Sequence, residues 1–98
     1  MGKLEYRRLS EAEIEAELNE VPGWTAGNGR LEREFAFDGY QKGLVFASAV
    51  GFIADRLDHH PDIEIGYKKV RVSVSTHATG SLSPYDFEFA RRVDALTD

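Results

Sequence analysis

The sequence of 98 residues contains no cysteine. A chain without cysteine can form no disulfide, offers no thiolate nucleophile and cannot hold a cysteine-ligated zinc ion. It also lacks the ~18 consecutive apolar residues of a membrane-spanning helix. The N-terminal residues MGKLEYRRLS lack the apolar run of a signal peptide. We therefore expect a cytoplasmic protein that does not associate with membranes.

The charge balance argues against direct nucleic-acid binding. The formal net charge is −5 at pH 7, whereas nucleic-acid-binding proteins normally present a basic face. With 42% hydrophobic and 30% charged residues, the composition is that of a globular chain rather than a disordered one. Residues 1–98 are short enough to form a single domain. Because such a domain buries only a modest core, dimerisation or higher assembly would supplement its stability.

The order of the periodic segments predicts an α+β fold. Ser10 and Glu13 have the spacing of a capping box before a first helix, and Gly27-Asn28-Gly29 is the turn of a first hairpin. Alternating apolar residues between positions 63 and 74 predict a second hairpin, and Ser83-Pro84 begins a last helix. We expect a four-stranded antiparallel sheet made from two hairpins, with three helices packed on one face. The element order is helix–hairpin–helix–hairpin–helix.

The segment from Tyr40 to Leu57 is long, apolar and free of proline. It predicts a helix that is apolar over more than one face, and such helices are usually buried on several sides. We expect another subunit to cover part of this surface, which would make the protein a homodimer or a homotetramer. The last helix has an expected buried stripe formed by Phe87, Ala90, Val93 and Leu96.

All three histidines lie in one stretch of the chain. His59 and His60 stand side by side before Pro61, and His77 follows the second predicted hairpin. Imidazole is the side chain whose ordinary pKa, ~6.5, lets it exchange protons near neutral pH. The cluster predicts a proton-transfer site. The alternative interpretation of the adjacent pair is a polar connection between a helix and a strand.

A spaced set of residues in the second half of the chain resembles the signature of the pterin-4a-carbinolamine dehydratase family. These residues are Asp55, His59, His60, Pro61, Tyr67, His77 and Asp86. The stretches HHPDIEIGYKKVRVSVSTH and GSLSPYDFEFARRVDAL are similar to the family as well. The chain departs from the family pattern at Ile63, at Lys68 and in the segment Ala78–Ser81. We expect these changes to alter the loop and wall around the site, and hence substrate affinity more than reaction type.

The resemblance implies the dehydration of a 4a-hydroxytetrahydropterin to a quinonoid dihydropterin, as part of tetrahydropterin recycling. One proton goes to the departing hydroxyl group and another is removed from the ring. Two positioned groups with pKa values near neutrality suit this reaction, and such catalysis typically supplies about 100- to 10,000-fold. The reaction requires no metal, cofactor or protein nucleophile.

The resemblance also implies a role for each site residue. His59 and His77 are the candidate acid and base, and His60 binds and orients the pterin. Pro61 fixes the backbone so that the adjacent histidines diverge, and Tyr67 lines the site. For Tyr67 the alternative is an aromatic side chain at the edge of the core. By strand alternation His77 would lie on the polar face, outside the helix-covered core, if the strand stays regular.

Two carboxylates complete the implied site. Asp86 and Asp55 would orient imidazoles, because a carboxylate partner raises the pKa of a histidine and fixes its tautomer. Asp86 also lies three residues after Ser83, where the acid of a capping box is found. Its role is therefore equally explained by helix capping. Asp55 has the alternative of a plain surface charge.

Two other functions compete with the dehydratase hypothesis. His59, His60, His77 and a carboxylate are ligand types that zinc accepts, although adjacent histidines on a strand point to opposite sides. The second alternative is a non-catalytic dimerisation or interaction module of the same fold. The family resemblance includes members that are dimerisation partners of a transcription regulator. The altered segment Ala78–Ser81 keeps this alternative open.

Overall fold

A computed structural model describes residues 4–97 of the chain. The elements are α1 (Glu11–Leu18), β1 (Thr25–Gly27), β2 (Arg30–Ala36), α2 (Tyr40–Leu57), β3 (Asp62–Ile65), β4 (Lys69–Val74), a 3-10 helix (His77–Thr79), α3 (Pro84–Asp94) and a second 3-10 helix (Ala95–Thr97). The predicted α+β class and the order helix–hairpin–helix–hairpin–helix are confirmed. Among residues 4–97, no helix is long and apolar enough to cross a membrane.

The four strands form one antiparallel sheet in the order β1-β2-β4-β3. Leu31 is paired with Val74, and Phe35 with Val70. Since directly paired residues lie on the same face of a sheet, these pairs build a single apolar face. Side chains from all three α-helices pack against it. The opposite face of the sheet carries polar side chains, such as those of Glu32, Glu34 and Arg71.

The first helix begins as the sequence predicts. Oγ of Ser10 accepts a hydrogen bond from the backbone N–H of Glu13 at 3.1 Å. The Glu13 carboxylate in turn accepts from the backbone N–H of Ser10 at 2.9 Å. The capping box therefore satisfies two donors that the first turn of a helix leaves without partners. It fixes the point at which the N-terminal segment joins α1.

The longest helix, α2, buries one face only. Its buried residues are Gly43, Phe46, Val50, Ala54 and Leu57. Val45 is 64% exposed and Phe52 is 75% exposed. The prediction that this helix is buried on several sides is therefore wrong for the single chain. The helix therefore leaves four large apolar side chains in contact with solvent, those of Tyr40, Leu44, Val45 and Phe52.

The last helix ends earlier than its predicted apolar stripe. Phe87, Ala90 and Val93 are buried, but Leu96 is exposed, so its assignment to the stripe is wrong. The helix ends at Asp94, and Leu96 lies in the following 3-10 helix. There, a tighter helical turn changes the direction in which side chains point.

Candidate active site

The two adjacent histidines enter different environments at the end of α2. Asp58 caps this helix in the left-handed conformation, with φ 50° and ψ 46°. A left-handed residue ends a helix and redirects the chain, so the following side chains diverge. His59 is buried, with 7% exposed, whereas 57% of the His60 side chain is exposed.

His59 forms its contact with Asp86 in the interior of the protein. Nε2 of His59 lies 2.7 Å from Oδ1 of Asp86, whose side chain is fully buried. The second carboxylate oxygen, Oδ2, accepts from the Thr76 hydroxyl at 2.7 Å and from the Ser83 backbone N–H at 2.9 Å. A buried charge is tolerated when it is paired and hydrogen-bonded. These three contacts meet that condition for Asp86.

The direction of each hydrogen bond in this network follows from the number of protons available. Thr76 has one hydroxyl proton and donates it to Asp86. Oγ of Ser83, 2.6 Å from Oγ1 of Thr76, must therefore be the donor in that contact. When Asp86 is ionised both of its oxygens are acceptors, and Nε2 of His59 then carries the proton of their hydrogen bond. Nδ1 of His59 is then the ring nitrogen able to accept a proton.

Asp86 also caps α3. Oγ of Ser83 accepts from the backbone N–H of Tyr85, and the Asp86 carboxylate accepts from the backbone N–H of Ser83. These are the reciprocal contacts of a capping box. The capping interpretation and the contact with an imidazole hold for the same carboxylate. One side chain thus links the end of α2 to the start of α3.

His60 lies in an open cleft between α2 and β3. Its Nε2 lies 2.9 Å from Oδ1 of Asp55, and both side chains are largely exposed. The cleft has a volume of about 420 Å³ and is lined by Ser48, Gly51, Phe52, Ala54, Asp55, His60, Pro61 and Ile63. Three predicted site residues, His60, Pro61 and Asp55, are therefore neighbours here. The sequence provided no signal for Phe52, which the periodicity placed simply in an apolar helix.

His77 and Tyr67 lie apart from the lining of this cleft. β4 ends at Val74, and His77 begins the 3-10 helix as an exposed residue. The regular strand assumed for His77 is therefore interrupted. Thr76, the residue before it, is held by Asp86, so the backbone next to His77 is fixed to the carboxylate that binds His59. Tyr67 is exposed in the β3–β4 turn, and the interpretation of it as a core-edge aromatic is wrong.

The segment that departs from the family pattern is a closed loop. The Thr79 hydroxyl lies 3.1 Å from the Thr76 carbonyl oxygen and 3.0 Å from that of Ser81. Gly80 adopts a left-handed conformation, with φ 69°. The loop lies against the β1–β2 turn, because a Cβ atom on Gly29 would be 3.6 Å from the carbonyl oxygen of Gly80. The loop begins directly after His77, and none of its residues 78–81 lines the His60 cleft, whereas Ile63, another departure from the family pattern, does.

A metal site is not formed by the histidines. Within residues 4–97, no three side chains of histidine, aspartate or glutamate gather in a way that could hold a metal ion. His59 and His60 diverge, and each contacts a different carboxylate. The arrangement therefore offers two separate imidazole–carboxylate pairs instead of a ligand cluster.

Fold and site together define a small α+β domain with one buried and one exposed imidazole–carboxylate pair. Residues 7–96 match the family described as "Pterin 4 alpha carbinolamine dehydratase". The chain belongs to this family. The resemblance in the second half of the sequence is thus confirmed and extends over nearly the whole chain.

Relatives from distant organisms are similar over most of their length. A protein of Nitrosospira multiformis is 41% identical over 88 residues, covering 90% of this chain and 78% of the relative. A protein from Sulfolobus acidocaldarius is 35% identical over 89 residues, covering 91% of this chain and 98% of the relative. Both are provisionally named pterin-4-alpha-carbinolamine dehydratase.

Two solved structures share the fold. The crystal structure of a transcriptional coactivator/pterin dehydratase from Brucella melitensis superposes with a TM-score of 0.88 at 29% identity, covering 93% of this chain and 99% of that one. The second structure is of a pterin dehydratase-like protein identified as a RuBisCO assembly factor in the α-carboxysome. It superposes with a TM-score of 0.62 at 27% identity, covering 74% of this chain and 84% of that one. Proteins named for different functions therefore share this fold.

Proposed function

We propose that this protein dehydrates a 4a-hydroxytetrahydropterin to a quinonoid dihydropterin by general acid–base catalysis, as a step in tetrahydropterin recycling. Family membership supports the reaction. The observation that carries the site assignment is the carboxylate of Asp86, which contacts both His59 and the hydroxyl of Thr76 beside His77. The cleft next to His60 has the size of a small-molecule site, about 300–1,000 Å³.

The proposed reaction breaks the bond between ring carbon 4a and its hydroxyl oxygen. His77 gives a proton to the departing hydroxyl, which leaves as water. His59 accepts a ring proton at Nδ1, the nitrogen left without a proton by the Nε2 contact with Asp86. The proton given and the proton taken balance, so the enzyme needs only to exchange them with solvent after each turnover.

His60 binds and orients the pterin in this proposal. Its imidazole is exposed in the cleft, and Asp55 holds Nε2 at 2.9 Å. Pro61 restricts the backbone between His60 and β3. Tyr67 contacts substrate only if the bound pterin extends past the β3–β4 turn, because its ring is exposed there.

The decisive experiment is the dehydration rate of freshly generated 4a-hydroxytetrahydropterin, followed by absorbance. We expect acceleration over the uncatalysed rate, and a loss of about 100-fold or more in kcat for His59→Ala and for His77→Ala. His60→Ala should mainly raise KM. Glu34→Gln, on the polar face of the sheet, serves as the control with unchanged rates. Full activity in all three histidine variants would refute the assigned roles.

A non-catalytic interaction module is the second candidate. The related structure named as a RuBisCO assembly factor favours it, as do the exposed apolar side chains of Val45 and Phe52 on α2. A folded wild-type protein that gives no acceleration would support this candidate. The same apolar surface supports our proposal that the protein forms a homodimer or homotetramer, whichever function it has.

A further inference from the structure

An aromatic ring covers the imidazole that the mechanism uses. The ring centroid of Tyr85 lies 5.6 Å from that of His59, with an angle of 35° between the planes. Tyr85 immediately precedes Asp86 in α3. The first turn of this helix therefore contacts His59 twice, through the carboxylate at the ring nitrogen and through the phenol ring.

The two contacts restrict different motions of the imidazole. The hydrogen bond between Nε2 of His59 and Asp86 fixes the position of one ring atom. By itself it leaves rotation about the N···O direction free. A second ring packed alongside, as Tyr85 is, hinders that rotation. Orientation matters because proton transfer requires the accepting nitrogen within hydrogen-bond reach of the substrate.

Tyr85 is itself held by a second tyrosine. The rings of Tyr6 and Tyr85 stack with their centroids 4.4 Å apart and an angle of 15° between the planes. Stacked aromatic pairs typically lie about 4.5–7 Å apart, so this is a close contact. Tyr6 belongs to the segment before α1 and is 54% exposed. Tyr6, from the segment before α1, thus supports the Tyr85 ring that packs against His59.

The segment that carries Tyr6 is anchored by two residues that follow Tyr6 in the chain. The backbone N–H of Leu9 donates to the carbonyl oxygen of Leu82 at 2.9 Å, and the Leu9 side chain is buried. The guanidinium of Arg7 contacts the Glu13 carboxylate at 2.9 Å. The segment is therefore attached to the loop that leads into α3 and to the first turn of α1.

Tyr6 also lies within electrostatic range of Asp58, at the end of α2. Partial desolvation raises the pKa of the Tyr6 hydroxyl above its usual value of 10.0, and the nearby Tyr85 and Asp58 add to the rise. Asp58 is the left-handed residue that directs His59 into the interior. Tyr6 therefore stacks on the start of α3 and interacts electrostatically with the end of α2, the two elements that hold His59.

We propose that Tyr6 and Tyr85 are positioning residues for His59, with Tyr85 restricting rotation of the imidazole and Tyr6 holding Tyr85 in place. The N-terminal segment thereby controls the geometry of an imidazole that lies far from it in sequence. The effect of this control on catalysis rests on the proposed function. The restricted rotation of the His59 ring is independent of that function.

NMR of the imidazole ring protons tests the restriction without any activity assay. His59→Ala identifies the His59 signals. Tyr6→Ala should shift and broaden the His59 signals, although Tyr6 stacks on Tyr85 and acts on His59 through it. Tyr6→Phe should leave the His59 signals near their wild-type positions. Tyr40→Ala is the matched control, because Tyr40 is 50% exposed at the far end of α2. His59 signals that change no more in Tyr6→Ala than in this control would overturn the proposal.

Kinetics test the consequence for catalysis. Tyr6→Ala and Tyr85→Ala should lower kcat by about 2- to 10-fold with KM unchanged, the range that corresponds to the loss of one aromatic pair. Tyr85→Phe and Tyr6→Phe should restore kcat, since the ring and not the hydroxyl is required. Failure of both phenylalanine variants to rescue would contradict the proposal.

The two measurements separate this proposal from the proposed function. If wild type dehydrates no pterin but the His59 signals respond to Tyr6→Ala, the positioning role stands and the reaction is wrong. If Tyr85→Ala does not fold, the decision rests on Tyr6→Ala and on the two phenylalanine variants. The pH dependence of the His59 signals must be recorded with each variant, because the titratable groups of Asp86 and Tyr85 both face this imidazole.

Discussion

Nε2 of His59 lies 2.7 Å from Oδ1 of Asp86, 27 positions further along the chain. The carboxylate is fully buried and receives two further hydrogen bonds, from Thr76 and from the backbone of Ser83. The contact between His59 and Asp86 therefore has two effects, one on the fold and one on the protonation of the imidazole. It joins the end of α2 to the start of α3, and it determines which nitrogen of His59 carries a proton.

Asp86→Asn tests the structural part of this contact. An amide in place of the carboxylate removes the buried pair and places N–H donors against existing donors, so the free energy of unfolding should fall by about 3 to 5 kcal/mol. Urea unfolding followed by circular dichroism measures it. Asp62→Asn is the control, because its exposed ion pair with Arg30 should contribute no more than about 1 kcal/mol. Equal losses in the two variants would argue against the network.

Thr76→Val tests the hydroxyl that connects Asp86 to the neighbourhood of His77. Valine keeps the shape of threonine but leaves one buried carboxylate oxygen with a single donor. We expect a loss of about 1 to 3 kcal/mol in unfolding free energy and a lower kcat in the dehydration assay. Thr76→Ser retains the hydroxyl and should recover most of the activity. A valine variant as active as the serine variant would show that this hydrogen bond is dispensable.

Glu88 should contribute to a fall in stability in acid. The Arg92 guanidinium, with help from Arg91, lowers the pKa of Glu88 below its usual value of 4.5 against the opposing effect of burial. A carboxylate whose pKa is lower in the folded state stabilises that state at neutral pH. This contribution is lost as the pH falls from about 4.5 through the folded-state pKa.

Unfolding midpoints from pH 7 to pH 3 measure this contribution. Glu88→Gln should lower the midpoint at pH 7 and reduce its decline below about pH 4.5, the usual pKa of glutamate. Glu15→Gln is the comparison, since Glu15 is exposed and forms no ion pair within residues 4–97. An unchanged acid profile in Glu88→Gln would mean that its arginine contacts do not stabilise the fold.

The exposed apolar face of α2 predicts the assembly state. Val45→Glu places a charge where subunits are proposed to meet, and an unpaired charge in an apolar interface is strongly unfavourable. We expect light scattering after size-exclusion chromatography to give a dimer or tetramer for wild type and a smaller species for the variant. Ala12→Glu adds the same charge to exposed α1 and should leave the mass unchanged. A monomeric wild type would exclude the proposed interface.

Features that depend on residues close in sequence were predictable. The capping box of Ser10 and Glu13 joins atoms only three residues apart, and the turn at Asn28 and Gly29 uses residue types that tolerate positive φ. Hydrophobic period distinguished helices from strands, which was sufficient for the α+β class. Each of these signals is contained within a few consecutive residues.

Contacts between distant segments were not predictable in the same way. The hydrogen bond from Thr76 to Asp86 depends on where β4 ends relative to the start of α3. No local pattern encodes which hydroxyl will meet which carboxylate. Strand alternation could not fix the position of His77, because β4 ends at Val74 and a 3-10 helix begins at His77. The stack of Tyr6 on Tyr85 joins opposite ends of the chain and left no periodic trace in the sequence.

The left-handed backbone of Asp58 has a consequence for how the chain obtains its chemistry. Two neighbouring histidines, His59 and His60, have different environments, one buried and one exposed to solvent. The difference arises from the backbone conformation of Asp58. A β-branched residue disfavours positive φ, so placing one at position 58 would disturb both histidines without touching either ring. The different environments of His59 and His60 are therefore determined by the backbone conformation of the residue that precedes them.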